Sequence, residues 1–250
     1  MLTGRLLSLR LLVVHILYQP STCRKNVSHL TESESQRLEA ALKKMIDSGR
    51  FVDLANFHGA PTTICETTLF FQTVGVVCCP HGVSVFLPWH RLYMVQMEEE
   101  LGMALPFWDW TMTDHQPNLW SDIDAPIKKG ASSVCNQPEI SSINKDAKVN
   151  AAILRNEIRI ALETTNYHDF WRAVVNPHNR IHHNLGCDMS TANTASYVPF
   201  FFLHHSFVDY VWAYWQELQR LRGHSVNENL DDHLQPFNRA EYNRHKRTLK

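Results

Sequence analysis

The sequence predicts a mainly α fold: a four-helix bundle core enclosing a dinuclear metal site, with long loops and few short strands. Three observations carry that expectation. Apolar residues recur at three- and four-residue spacing in five stretches, the pattern of helices with one buried face. No internal repeat, low-complexity tract or Gly/Ser linker divides the 250 residues, so a single core is expected. Fifteen histidines stand in a chain with only nine glycines. Neutral imidazole is the commonest metal ligand, and inward side chains of a helix bundle readily build a metal centre.

Taken in order, residues 1–23 read as an export signal. Arg5 and Arg10 supply positive charge, Leu11 to Tyr18 an apolar run, and Ser21, Thr22 and Cys23 a small-residue cleavage site. That run is too short to span a bilayer, so a secreted, extracellular protein is expected, with no membrane partner. Asn26, Val27 and Ser28 form a sequon that makes Asn26 a candidate glycosylation site. One domain is expected over 26–223 and a polar tail over 224–250. Its first helix covers Ser33 to Ser48, opened by the capping box of Thr31 and Glu34, with Leu38, Leu42, Met45 and Ile46 inward. A second follows Pro88, with Leu92, Tyr93, Met97 and Leu101 on one side and Glu98, Glu99 and Glu100 on a solvated face. A third runs from about Ile143 to Leu162 and places Val149, Ile153 and Ile160 inward. The fourth begins near Asn176 and carries His178 and His182. The fifth runs from His204 to Arg222 with Val208, Val211, Trp212, Trp215 and Leu218 in one stripe, and Gly223 stops it. Thr111 to Gln137 is rich in turn formers.

Composition excludes several functions. Hydrophobic residues make up 44% and charged ones 20%, a globular balance. With 24 basic against 25 acidic residues the formal charge is -1, so nucleic acid and anionic membranes find no electrostatic attraction. Cleavage after Cys23 leaves Cys65, Cys78, Cys79, Cys135 and Cys187 in an oxidising compartment, an odd number. Adjacent Cys78 and Cys79 do not readily bridge each other. One of them is expected to reach Cys65 and the other to do something different.

His178 and His182 lie one helical turn apart, so both rings can face one ion. His205 opens another amphipathic helix directly after the apolar run Pro199 to Leu203, and His58, His81 and His90 form a second set. Two imidazole triads imply two ions; an all-imidazole ligand set suits copper, with zinc its principal competitor. Trp89, Trp108, Trp110, Trp212 and Trp215 read as core, and His115, His168, His224, His233 and His245 as surface residues.

The runs NFHGAP, CCPHG, PWHRLYMVQMEEEL, PFWDWT, PHNRIHHNLG and FFFLHHSFVDYVWAYWQELQRLRG resemble the two copper-binding halves of the type 3 copper proteins: tyrosinases, catechol oxidases and molluscan-type hemocyanins. The resemblance covers about Asn56 to Gly223. It implies that His58, His81 and His90 hold one copper, and His178, His182 and His205 the other. It places His204 behind His205 and gives His183 no ligand role. It implies a thioether joining Cys79 to His81, with Cys65–Cys78 and Cys135–Cys187 as disulfides; an unmodified buried thiol at Cys79 is the alternative. In tyrosinases an asparagine at the position of Asn179 helps a carboxylate orient a water, and Asp169 is the closest upstream candidate for that carboxylate. Asp209 is expected to fix helix and ligand geometry.

The implied function is a copper-dependent phenol oxidase. Two cuprous ions in a dry pocket pass two electrons to dioxygen, and mono- or o-diphenols become o-quinones. The alternative is a hemocyanin-like dioxygen-binding unit or a fragment of one. Phe207, Val208 and Asp209 resemble tyrosinases, whereas CCPHG and WQELQRLRG resemble hemocyanins. Three features depart from the family: Val198 where aspartate is usual before the proline, a short join from Leu101 to Pro106, and an end soon after the second triad. The last leaves the site without the β-rich cover of hemocyanin units, which favours the oxidase. A structural protein without copper is disfavoured, because all six ligand positions are filled.

Overall fold

A computed structural model describes residues 23–58, 79–126, 143–144 and 147–224, and the backbone of 65–69 and 72–76. The expected export signal, except Cys23, and the tail beyond His224 lie outside the described residues, as do Cys78 and Cys135. Among the described residues the chain is mainly α, with a single short antiparallel hairpin.

Helix α1 spans Glu32–Asp47 and opens on the expected capping box. The Thr31 hydroxyl accepts from the Glu34 N–H while the Glu34 carboxylate accepts from the Thr31 N–H. Leu38, Leu42 and Met45 are buried along one face. Gly49, at φ +79, turns the chain directly into α2, Arg50–Ala55, a conformation that carries little cost without a Cβ. His58 follows three residues after α2. Strands β1, Cys65–Leu69, and β2, Gln72–Val76, pair antiparallel with Cys65 opposite Val76 and Leu69 opposite Gln72.

Helix α3 runs Phe86–Leu101, two residues ahead of the expected Pro88. Proline fits there because N–H groups of a first turn have no intrahelical partner to lose. Its buried face carries Trp89, His90, Tyr93, Met94, Met97 and Leu101, while Leu92 is half-buried. Glu98 to Glu100 are half-buried rather than solvated: Glu98 holds Arg24 through both oxygens and accepts from the Leu105 N–H at 3.0 Å, and Glu100 pairs with Arg50. Glu98 thereby closes the short join after α3.

The next two helices correct the sequence reading. Helix α4 is Ala151–Glu163, capped by Asn150, so Val149 is buried outside the helix and does not set its phase. The inward residues are Ala151, Leu154, Ile158 and Ala161, whereas Ile153 and Ile160 are each 48% exposed. Helix α5 is Tyr167–Leu185, starting nine residues before Asn176. Asn166 is its cap, accepting from the Asp169 N–H at 2.9 Å. Pro177 lies inside the helix and is itself buried, so packing outweighs the hydrogen bond it forfeits.

Helix α6, Phe200–Leu221, also begins earlier than expected, at Phe200 after the cap residue Pro199 rather than at His204. Every residue from Phe200 to Val208 is buried, so the first turns of α6 are core on all sides. Farther along, Val211, Trp212, Trp215 and Gln219 face inward, with Leu218 only half-buried. Trp215 and Gln219 both donate to the Thr164 carbonyl at 3.1 Å, fastening α6 to the α4–α5 connection. Two helix pairs result, α3 with α6 and α4 with α5, joined where α6 touches α4 and α5. An N-terminal strap lies across them: the Phe107 N–H donates to Lys25 O and its carbonyl accepts from the Val27 N–H, both at 2.9 Å. Trp89, Trp108, Trp110, Trp212 and Trp215 are all buried.

Candidate metal centre

Two groups of donors come together inside the bundle. His58, Cys79, His81 and His90 form one, and His178, His182, His204 and His205 the other; within each group the donor atoms lie within 4.8 Å of one another. The groups abut. The His90 and His205 rings stack at 4.3 Å with planes 8° apart, so the helix pair α3–α6 sets the spacing of the centre.

In the second group three Nε2 atoms converge. His178 and His182 are 3.1 Å apart, His182 and His205 3.3 Å, and His178 and His205 3.4 Å. A triangle with those sides has its centre about 1.9 Å from each corner, close to the roughly 2.0 Å of a metal–imidazole bond. Hydrogen bonds at the far nitrogens fix which atoms point inward. His178 Nδ1–H donates to Asn179 Oδ1 at 2.9 Å, and His182 Nδ1–H to Met189 O at 2.8 Å. Their Nε2 atoms are therefore bare lone pairs facing each other, an arrangement that a shared cation relieves.

The first group follows the same rule. His58 Nδ1–H donates to Ala192 O at 3.1 Å, and His90 Nδ1–H to Phe86 O at 2.8 Å. His58 Nε2 is buried with no hydrogen-bond partner, an orphaned acceptor that a metal ion satisfies. The three rings stand 5.3, 5.4 and 5.8 Å apart. His81 is exposed, unlike His58 and His90. Burial holds His58, His90, His178, His204 and His205 well below the ordinary imidazole value and pushes His182 down to about 4. Protons consequently compete weakly with a metal ion for these rings.

Cys79 is buried and free, and burial pushes its thiol well up. Its Sγ is 3.5 Å from both His81 ring nitrogens and 3.5 Å from His90 Nε2; the first two distances put it on the plane that bisects the His81 nitrogens, where Cε1 lies. Cys187 is disulfide-bonded.

Other expected site residues are placed differently. Asp169 is exposed at the start of α5, bonded to Asn166 and facing His168. It precedes His178 by nine residues, about 13 Å along the helix at 1.5 Å per residue, so the structure does not bring it to the histidines. Asn179 is exposed, and its Oδ1 accepts from His178 Nδ1–H. Among the described residues, neither donor group contains a carboxylate. Asp209 joins Arg24 of the strap and Arg91 of α3, and Arg91 lies 3.6 Å over Trp212. Asp209 thus ties α3 to α6, the helices bearing His90 and His205. Asn26 is half-buried, its side-chain oxygen accepting from the Ser28 N–H at 3.1 Å.

His204, expected behind His205, joins the second group. Two features escaped sequence reasoning. Trp110, read only as core, donates from Nε1 to His204 Nδ1 at 3.1 Å. The carbonyls of Phe86, Met189 and Ala192 that orient three histidines have no sequence signal, since every residue carries one.

Residues 48–139 and 129–218 match the family profile described as the common central domain of tyrosinase. Hemocyanin 2 of Megathura crenulata is 34% identical over 264 residues, which covers 92% of this chain and 7% of that protein. Hemocyanin beta-C chain unit G of Helix pomatia is 34% identical over 242 residues, 87% of this chain and 59% of that one. The chain thus spans less than two thirds of these relatives. A functional unit from Octopus hemocyanin superposes with a TM-score of 0.75 at 29% identity, covering 89% of this chain and 62% of that one. The tyrosinase of Burkholderia thailandensis, at TM-score 0.59 and 18% identity over 83% of this chain and 64% of that one, shares the fold.

Proposed function

The chain belongs to the type 3 copper protein family of tyrosinases and hemocyanins, and from that premise we propose that it binds dioxygen at a copper pair held by six histidines. His58, His81 and His90 would hold one ion, and His178, His182 and His205 the other. The observation that carries this reading is the abutment of the two donor groups through the stacked rings of His90 and His205. Copper, when bound, supplies reversible one-electron chemistry at each ion and so the binding or reduction of dioxygen. The protein's own contribution is to hold bare Nε2 lone pairs inward by anchoring the opposite nitrogens of His58, His90, His178 and His182. Burial keeps those rings neutral and water scarce.

Dioxygen carriage of the hemocyanin kind is the reading best supported, because relatives at 34% identity are hemocyanins while the tyrosinase likeness is one of fold. Oxidation of o-diphenols to o-quinones is the second reading, favoured by the exposure of His81, which leaves one edge of the centre open to a small phenol. Hydroxylation of monophenols is slower on either reading. Among the described residues no carboxylate stands in either donor group to take the phenol proton, and a general base contributes typically about 10²–10⁴-fold.

The copper content of the purified protein and its visible absorption under oxygen, and again after oxygen is removed, test the proposal. Two coppers per chain with absorption that comes and goes with oxygen support carriage; quinone accumulating from a catechol in the same sample establishes the oxidase instead. Copper far below two per chain sinks both. Joining of Cys79 to His81 belongs to the same proposal, supported by the position of Sγ against that ring. Its signature is a peptide lighter by two hydrogen atoms: the S–H and a ring C–H bond break, a C–S bond forms, two protons leave and dioxygen accepts the two electrons. Bridges Cys65–Cys78 and Cys135–Cys187, glycosylation of Asn26, and secretion with cleavage after Cys23 complete it, and the mass of the secreted chain reads them.

A further inference from the structure

His204 and His205 stand side by side in α6, and both are buried, at 0% and 1% exposure. Ring-centre distances do not choose between them as ligands, since the His178 ring is 5.0 Å from His204 and 4.9 Å from His205; only the nitrogens do. Their hydrogen bonds differ. An indole N–H can only donate, and that of Trp110 donates to His204 Nδ1 at 3.1 Å. A ring nitrogen that accepts carries no proton, so neutral His204 holds its proton on Nε2. Both of its nitrogens are thereby closed to a metal: one lone pair takes the indole hydrogen, and the other nitrogen is protonated. His205 is the reverse case. Its Nδ1, like His204 Nε2, is buried without a hydrogen-bond partner, but its Nε2 meets those of His178 and His182 at 3.4 and 3.3 Å. A proton on Nδ1 leaves that Nε2 open.

We propose that Trp110 selects the ligand within the histidine doublet, locking His204 in the Nε2–H form so that His205 alone completes the second copper site. Trp110 is a positioning residue that works by disabling the wrong histidine; among the described residues no hydrogen bond fixes Nδ1 of the right one, whose ring is held by packing on His90. The inference rests on the reading of His178, His182 and His205 as copper ligands.

Ring nitrogen shifts, read by long-range proton–nitrogen correlation on the cuprous, oxygen-free protein, which is diamagnetic, test it directly. Expected for the unaltered chain is an unprotonated Nδ1 and a protonated Nε2 on His204; the opposite tautomer overturns the proposal whether or not any variant folds. In Trp110→Phe, which keeps an aromatic ring but removes the donor, His204 should populate the Nδ1–H form. An unchanged His204 signature in that variant also overturns it. Copper counts separate this inference from its premise. His205→Gln should lose one copper per chain and His204→Gln none. Retention of both coppers in His205→Gln refutes the ligand set itself, whereas loss of one together with the wrong His204 tautomer refutes only the role of Trp110.

Discussion

Burial acts on each site histidine separately, and its effect has a sign that can be followed with pH. In the metal-free chain the unfolded state protonates these rings near the ordinary 6.5, while His182 resists protonation down to about 4 and its buried neighbours also resist. Stability is therefore fully present above 6.5 and falls as pH drops from 6.5 towards 4. Melting midpoints of the chelator-treated protein across that range should decline steadily, and a flat series would contradict neutral, buried rings. Asp169 gives a second test at this scale. Because it sits exposed at the cap of α5, Asp169→Asn should leave copper content and catechol turnover within about two-fold, where loss of a true general base costs about 10²–10⁴-fold. What the sequence disclosed of the site was residue identity at fixed spacing: a turn between His178 and His182, and a doublet at His204 and His205. It could not disclose orientation. Three of the anchoring acceptors are backbone carbonyls, and Trp110 reads as core until its indole nitrogen is located.

At the scale of the elements, α3 and α6 matter most, since the stacking of His90 on His205 is only as constant as the packing between them. Asp209 holds two arginines across that join with 12% of its side chain exposed. Replacing it by Asn removes the charge both guanidinium groups face, at a cost of about 1–3 kcal/mol. Asp209→Asn should lower the melting temperature by about 2–4 °C for each of those kcal/mol. A melt indistinguishable from the parent would mean the pair behaves as a solvated surface contact. The helices were legible from periodicity and caps to the extent that their starts were marked. Thr31 and Glu34 placed α1 within a residue. Helices α5 and α6 began earlier than expected because Pro177 reads as a first-turn proline, and because the run from Pro199 to Leu203, apolar throughout, shows no helical period. In α4, Val149 set a false phase from outside the helix.

For the whole molecule, the bundle buries converging imidazole lone pairs that a cation would satisfy, so metal content and folding stability should be linked. Copper at about 100 times its dissociation constant should stabilise the folded chain by about 2.7 kcal/mol per site, seen as a rise in melting temperature reversed by a chelator. Equal midpoints with and without metal would show that the clusters are not binding sites. Among the described residues no helix is long and apolar enough to cross a membrane. The fold puts its indoles where they can witness metal binding. Trp89 lies 6.0 Å from His58 and 5.0 Å from His90, and Trp110 6.1 Å from His204. Light absorbed by those rings is emitted within reach of the ions, and cupric copper quenches it. The protein should glow dimly when loaded and brighten as copper is withdrawn, so that one emission titration reports the filling of each site in turn.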